Sequence, residues 1–260
     1  MPFERISIEL TRLCNKGCRF CYNGSNRHGD TLWTVEEVID FVNDCQKAGT
    51  RAVSFGGGEP LQYPGCFDVL HALKGKLFRS MTTNGLLLKG NALKALIAAE
   101  PDKVHVSLHF PDNQAEVRRV LQQVHMLAEY GVKSGVNLLV ARSQLTEASA
   151  AAALLRDRGI GNDRIVYLPM RGNDTPSASE VARVAGNLPF QSMTCINHCH
   201  ASPRFCSIGW DKRVAWCSYT TARRQLPSLT AEGLRQAMQG LGLEECRPQR
   251  PAIALNELTR

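Results

Sequence analysis

Three cysteines crowd together near the N-terminus, in Cys14-Asn15-Lys16-Gly17-Cys18-Arg19-Phe20-Cys21, a C-x3-C-x2-C spacing. Thiolates this close can converge on one metal centre, and Gly17 eases the tight turn they require. Two chemistries fit. A structural zinc loop would recruit a fourth ligand from elsewhere in the chain. An iron–sulfur cluster held by three thiolates, one short of the usual four, would keep one iron open to a ligand. A second group, Cys195, Cys199, Cys206, Cys217 and Cys246, lies far down the chain, and only Cys45 and Cys66 are scattered between. The run Gly56-Gly57-Gly58-Glu59-Pro60 is a third feature. It must be a loop, and its glycines allow close backbone approach to another group.

These features need elements to position them. Short apolar runs at 5–10, 52–55, 77–82, 104–110, 132–140 and 165–168 predict six strands. Between them Thr34 and Glu37 form a capping box ahead of Val35, Val38, Ile39 and Val42 at helical spacing. Leu93, Leu96 and Ile97 mark another helix. The stripe Val117, Val120, Leu121, Val124, Leu127 and Ala128 marks a third, stopped by Gly131, and 146–158 is an alanine-rich fourth. Strand–helix alternation predicts parallel strands with right-handed crossovers. A doubly wound sheet and a barrel both satisfy it, and both put ligands at the C-terminal strand ends. The cysteine loop and the glycine loop each follow a strand, so they share one rim. Residues 171–189 turn to Gly, Asn, Ser and Pro and read as a linker. The remaining segment is cysteine-rich, with one helix near 231–241.

Composition narrows the class. With 260 residues, 43% hydrophobic and 21% charged, the chain has ordinary globular content. No apolar run is long enough for a membrane helix, and no secretory signal is visible. Clustered thiols without an export signal read as metal ligands in a reducing compartment, the cytoplasm. The net charge of +7 permits an acidic or nucleic-acid partner, but no dense Lys/Arg run demands one.

C-x3-C-x2-C after a first strand, with aromatic Phe20 before the last cysteine, resembles the radical S-adenosylmethionine (radical SAM) signature. Gly57-Gly58-Glu59-Pro60 after the second strand resembles the GGEP motif of the same family. The resemblance implies an α/β fold, a partial (β/α)6 TIM-like barrel over 1–175, with a small C-terminal cysteine-rich auxiliary-cluster extension over 190–260. It implies that Cys14, Cys18 and Cys21 hold a 4Fe–4S cluster whose open iron SAM chelates. Gly57 and Gly58 would approach the methionine moiety, Glu59 would bind its ammonium, and Phe20 would lie against the adenine. Asn84, Ser107 and Asn137 would contact SAM, and Arg119 would pair with its carboxylate. The implied chemistry is reductive cleavage of SAM to a 5′-deoxyadenosyl radical that abstracts a substrate hydrogen.

Residues 206–217 read as strand, Asp211-Lys212 turn, strand and cysteine. This hairpin resembles the SPASM and Twitch extensions of radical SAM enzymes and implies one auxiliary 4Fe–4S cluster. Cys199 and Cys217 are the first-ranked ligands, then Cys195 and Cys206, then Cys246, with zinc and free thiols as competing readings. His198 and His200 flank Cys199 and read as loop residues or as hydrogen-bond partners of such a cluster. The first ligand lies too near the N-terminus for a preceding peptide-binding domain, which favours a small-molecule substrate. A one-electron donor such as flavodoxin or ferredoxin is the expected partner; no membrane and no nucleic acid are. In a dehydrogenase reading, the auxiliary cluster takes the substrate's second electron. In an epimerase reading, acting on a peptide presented by a partner protein, a thiol returns hydrogen; Cys66, after the glycine loop, is the candidate, and Cys45 reads as core. An RNA-modifying enzyme and a non-enzymatic iron–sulfur or zinc electron carrier or sensor are the remaining alternatives.

Overall fold

The first strand, β1 (Arg5–Thr11), alternates Ile6, Ile8 and Leu10 with Ser7, Glu9 and Thr11. Its two faces therefore have opposite fates. The apolar set is fully buried in a cluster with Val38, Phe41 and Val42 of the first helix, and Ser7 lines an interior cavity. This computed structural model describes residues 3–192 and 200–244.

After β1 the order is α1 (Val35–Lys47), β2 (Ala52–Gly57), α2 (Cys66–Ala72), β3 (Phe78–Thr83), α3 (Gly90–Ala98), β4 (Lys103–Leu108), α4 (Gln114–Glu129), β5 (Ser134–Val140), α5 (Leu145–Asp157) and β6 (Ile165–Pro169). Next come α6 (Ala178–Val184), β7 (Gln191–Ser192), β8 (Phe205–Ile208), β9 (Arg213–Ala215), β10 (Arg224–Gln225) and α7 (Ala231–Met238). The capping box expected at Thr34 and Glu37 starts α1. All six expected strands form, and β1 to β6 pair in parallel and in chain order.

The described strands form one sheet in the order β10-β9-β8-β1-β2-β3-β4-β5-β6-β7. The sheet does not close: β10 and β7 are its two edges. The parallel (β/α) half matches the expected partial barrel. The expected hairpin also forms, with β8 antiparallel to β9 and Lys212 at its turn in the left-handed region (φ 61°). β8 pairs in parallel with β1, so the hairpin continues the barrel sheet.

One local expectation needs correction. The segment read as a linker carries α6, started by a Ser177–Glu180 capping box and buried through Val181, Val184 and Ala185. The S-x-x-E signal was there, but the Gly, Asn and Pro around it masked a helix too short to show a stripe. The helix α2, which begins at Cys66, was not anticipated for the same reason of length.

Glu9 lies where the hairpin joins the barrel. It pairs across to Gly56 of β2, is 1% exposed, and neither carboxyl oxygen has a hydrogen-bond partner among the described residues. Its nearest cation is Arg223, with Nη2 3.9 Å away. Burial pushes the carboxyl from 4.5 up to about 7; Arg223 pulls it down, and Asp211 adds to the rise. Between those values the folded chain keeps a proton that the unfolded chain has released, so stability falls as pH rises through this window and levels off above it. Urea unfolding should show the parent less stable by about 3 kcal/mol at about pH 8 than at about pH 5. Glu9→Gln should flatten that part of the profile; an unchanged slope would place the buried charge elsewhere.

Candidate active site

The cysteine loop leaves β1 through a backbone crossing with the glycine loop. The Gly58 N–H donates to Thr11 O at 2.6 Å, and the Glu59 N–H donates to Leu13 O at 2.8 Å. A Cβ on Gly58 would stand 2.2 Å from Leu13 O, and one on Gly57 (φ +106°) would stand 2.6 Å from Thr11 O. No side chain fits at either position. Further along, Cys14 N–H donates to Asn26 O at 2.8 Å, and Cys21 N–H donates to Cys18 O at 3.1 Å. Lys16 ties the loop to α4 through Nζ to Glu116 Oε1 at 2.7 Å, both side chains being nearly buried. The same oxygen accepts from the His109 N–H at 2.7 Å.

The three cysteines line one cavity of about 360 Å³ with Gly56, Gly57 and Gly58. Its wall takes small polar side chains from successive strands: Ser7 of β1, Ser54 of β2, Thr82 of β3, Ser107 of β4 and Asn137 of β5. Four of them alternate with buried apolar neighbours on both sides, as with Val53 and Phe55 around Ser54 and Val136 and Leu138 around Asn137, whereas Thr82 lies between Met81 and the buried Thr83. At the far side Ser218 and Tyr219, just beyond β9, complete the lining. Tyr22 packs on Tyr219 with ring centroids 4.7 Å apart.

The structure distributes the expected residues unevenly. Phe20, Gly57, Gly58, Asn84, Ser107 and Asn137 all reach the cavity. Glu59 does not. It is fully buried behind the wall, where Oε1 accepts from Thr83 Oγ1 at 2.7 Å and Leu61 N–H at 3.1 Å, and Oε2 accepts from Asn84 N–H at 2.7 Å. Burial raises its pKa while these bonds oppose the rise. An acid so occupied ties β2 to β3. Arg119 also stands outside the wall, its Nη1 donating to Asn84 O at 3.0 Å and Gln123 Oε1 at 2.9 Å. It secures the turn after β3. Asn84 Nδ2 donates to Asn15 Oδ1 at 2.9 Å and lies 3.6 Å from Cys14 Sγ.

The other cysteines divide. Cys45 is core, as expected. Cys66 is buried too, its thiol donating to Met81 Sδ at 3.7 Å, and burial pushes it up to about 12. It lies at the start of α2 against the helix-covered face of β3 and does not line the cavity, which corrects its reading as a hydrogen donor. Cys206, considered a cluster ligand, has 0% exposure within the apolar core. Its register partner is Ile6 and not Ser7, so it shares the helix-facing side with Cys45. Cys217 is partly exposed and directly precedes the cavity residues Ser218 and Tyr219. Cys195, Cys199, Cys246 and His198 lie outside the described residues; His200 is exposed.

Several cavity residues escaped the sequence reading. Ser7 and Ser54 carried a usable signal, a polar residue between two apolar neighbours in a strand; Thr82, in a strand of mostly polar residues, carried none. Tyr22, Arg171, Tyr219 and His109 carried none, because only the fold brings them together. His109 follows β4, with its ring edge-on to Phe20 at 5.8 Å and Nδ1 3.6 Å from Cys18 Sγ. Burial, helped by Lys16 and Arg119, pushes the imidazole down to about 3.

Residues 8–176 match the sequence profile of the Radical SAM superfamily. The chain belongs to this superfamily. Curated relatives named probable GTP 3′,8-cyclase are similar: that of Methanocella arvoryzae is 36% identical over 107 residues, 41% of this chain and 34% of that protein. That of Saccharolobus solfataricus is 28% identical over 178 residues, 64% of this chain and 58% of that protein. The chain thus spans about a third to three fifths of the length of these relatives. Among solved structures, Streptococcus suis SuiB bound to S-adenosylmethionine superposes with TM-score 0.67 at 15% identity over 83% of this chain and 60% of SuiB. The enzyme anSMEcpe, bound to AdoMet and a Cp18Cys peptide, gives 0.65 at 14% identity over 92% of this chain and 81% of that one. At such identities the likeness is one of fold.

Radical SAM enzymes use a 4Fe–4S cluster and SAM, and the site fits both. Three thiols share one cavity, a donor set suited to iron. A Cβ added at Gly56 would meet nothing within 4 Å, so this glycine opens onto free volume that a methyl group would enter. Asn137 Oδ1 is buried on the wall without a hydrogen-bond partner among the described residues, an acceptor suited to a ligand hydroxyl or amine. Burial, with the Cys14 and Cys21 charges, pushes the Cys18 thiol up to about 11 against the pull of Lys16, so iron must displace its proton on binding.

Lys16 and Glu116 give this site its second anchor. Glu116→Ala leaves a nearly buried ammonium unpaired and should cost about 3–5 kcal/mol while lowering the iron retained after anaerobic reconstitution. Glu116→Gln keeps an oxygen acceptor and should retain more iron than Glu116→Ala. Equal iron in parent, Gln and Ala proteins would show that the loop is held without this pair.

Proposed function

We propose that this chain is an enzyme that cleaves SAM reductively and abstracts a hydrogen atom from a small-molecule substrate, with oxidation assisted by an auxiliary 4Fe–4S cluster on the C-terminal cysteines. The observation that carries the reading is the one cavity in which three cysteines, a glycine backbone and an Asn137 acceptor without a partner among the described residues converge. When bound, the reduced cluster and SAM would supply one electron and a 5′-deoxyadenosyl radical.

The chain's own residues supply aim and shelter. Cys14, Cys18 and Cys21 would hold iron through their thiolates. The carbonyls of residues 56–58 would accept from the ligand's ammonium, and Asn137 Oδ1 from a ribose hydroxyl. Phe20, packed against His109 and Phe110, offers an apolar surface for the adenine. Ser218 and Tyr219 reach the cavity from the hairpin, which favours a small, enclosed substrate and keeps water from the reacting atoms. Cys217 beside them supports an auxiliary cluster at the cavity edge, with Cys195, Cys199 and Cys246 as its remaining ligands; the core placement of Cys206 argues against its inclusion. Such a cluster would take the substrate's second electron and make the enzyme an oxidoreductase. A flavodoxin or ferredoxin would reduce the first cluster.

Anaerobic reconstitution should give about eight irons per chain, as two 4Fe–4S clusters, and 5′-deoxyadenosine on addition of SAM and dithionite. Cys217→Ser should fall to about four irons and still release 5′-deoxyadenosine. About four irons in the parent would remove the auxiliary cluster and the oxidation assigned to it. Zinc in place of iron with no SAM cleavage would remove the whole reading.

A further inference from the structure

Cys18 Sγ and His109 Nδ1 lie 3.6 Å apart, inside the range of a hydrogen bond to sulfur. The imidazole is held in that pose from two sides. Its backbone N–H donates to Glu116 Oε1 at 2.7 Å, and its ring meets Phe20 edge-on at 76°. A cysteine bound to iron is a thiolate and has no proton to give. A hydrogen bond between the two atoms then needs its proton on nitrogen, which the Nδ1–H tautomer of the neutral ring and the charged ring both supply. Asn84 Nδ2, 3.6 Å from Cys14 Sγ, is a donor of the same kind at the neighbouring ligand. Two of the three thiolates therefore face a donor fixed on the rim of the barrel.

We propose that His109 is a positioning residue for the SAM-binding cluster, donating Nδ1–H to the Cys18 thiolate and so setting the cluster's reduction potential. The proposal rests on the reading of Cys14, Cys18 and Cys21 as cluster ligands. A donor aimed at a ligand sulfur favours the reduced cluster, which carries one more negative charge, and raises its potential. Loss of the donor should leave iron content unchanged and make the cluster harder to reduce.

The test is a redox titration of the anaerobically reconstituted holoprotein, followed by electron paramagnetic resonance without SAM. His109→Phe keeps a ring against Phe20 and removes the donor; His109→Asn returns an amide N–H close to the position of Nδ1. At the parent's midpoint, the reduced-to-oxidised ratio should fall roughly threefold to tenfold in His109→Phe and recover most of the way in His109→Asn. Equal potentials in parent and His109→Phe, or a shift as large in His109→Asn as in His109→Phe, would overturn the proposal. Should His109→Phe fail to assemble its cluster, the parent decides. Grown with ¹⁵N-histidine, its reduced cluster should show nitrogen hyperfine coupling that His109→Asn lacks, and no coupling would overturn the proposal equally. A parent that assembles no iron cluster would instead overturn the ligand assignment beneath it.

Discussion

The site depends on two stretches of backbone that pass too close for side chains. Residues 11–13, leading into Cys14, cross residues 57–59 with N–H···O distances of 2.6 and 2.8 Å. The hydrogen bonds are short because Gly57 and Gly58 present no Cβ, and one at Gly58 would lie 2.2 Å from a carbonyl oxygen. The glycine loop is therefore first a brace for the cysteine loop and only then a surface for a ligand. Glu59 extends the brace: buried between the ends of β2 and β3, it accepts from Thr83 and from the Asn84 N–H, and Asn84 in turn reaches Cys14. One continuous set of contacts runs from the second and third strands to the first thiol.

The opposite side of the loop is held by charge. Glu116, in the first turn of α4, gathers Lys16 from the cysteine loop and the His109 N–H from the end of β4 on one oxygen. A buried carboxylate is costly unless its lone pairs are used, and here they are used to join a loop, a strand end and a helix. The cysteine loop is thus fixed at its start by backbone and at its middle by an ion pair. Such rigidity suits a site whose ligand must be held in one orientation while a reactive fragment is released.

Much of this was legible beforehand, for physical reasons. Strand–helix alternation constrains topology strongly, so the six parallel strands followed from the apolar runs. The thiol spacing and the glycine run fall on one rim because both follow strands. What escaped was set by distance in sequence. Glu59 reads as a ligand group by its place beside glycines, and only the packed fold shows its oxygens already occupied by Thr83, Leu61 and Asn84. Cys206 reads as one of a cysteine cluster, but β8 pairs with β1 in the register that turns it to the helices. His109 had no pattern around it, and its meaning comes from a sulfur ninety-one positions away. Short helices such as α2 and α6 lack the turns that would make a stripe visible.

The most direct test compares two glycines of the same run, Gly56 at the end of β2 and Gly58 just beyond it. Gly58 stands at the crossing, whereas Gly56 opens on the cavity with nothing within 4 Å of an added Cβ. Iron content after anaerobic reconstitution should collapse in Gly58→Ala and stay at the parent level in Gly56→Ala, whose methyl group would weaken SAM binding instead. Full iron incorporation in Gly58→Ala would contradict the account, because the backbone crossing would then not be what holds the cysteine loop in place.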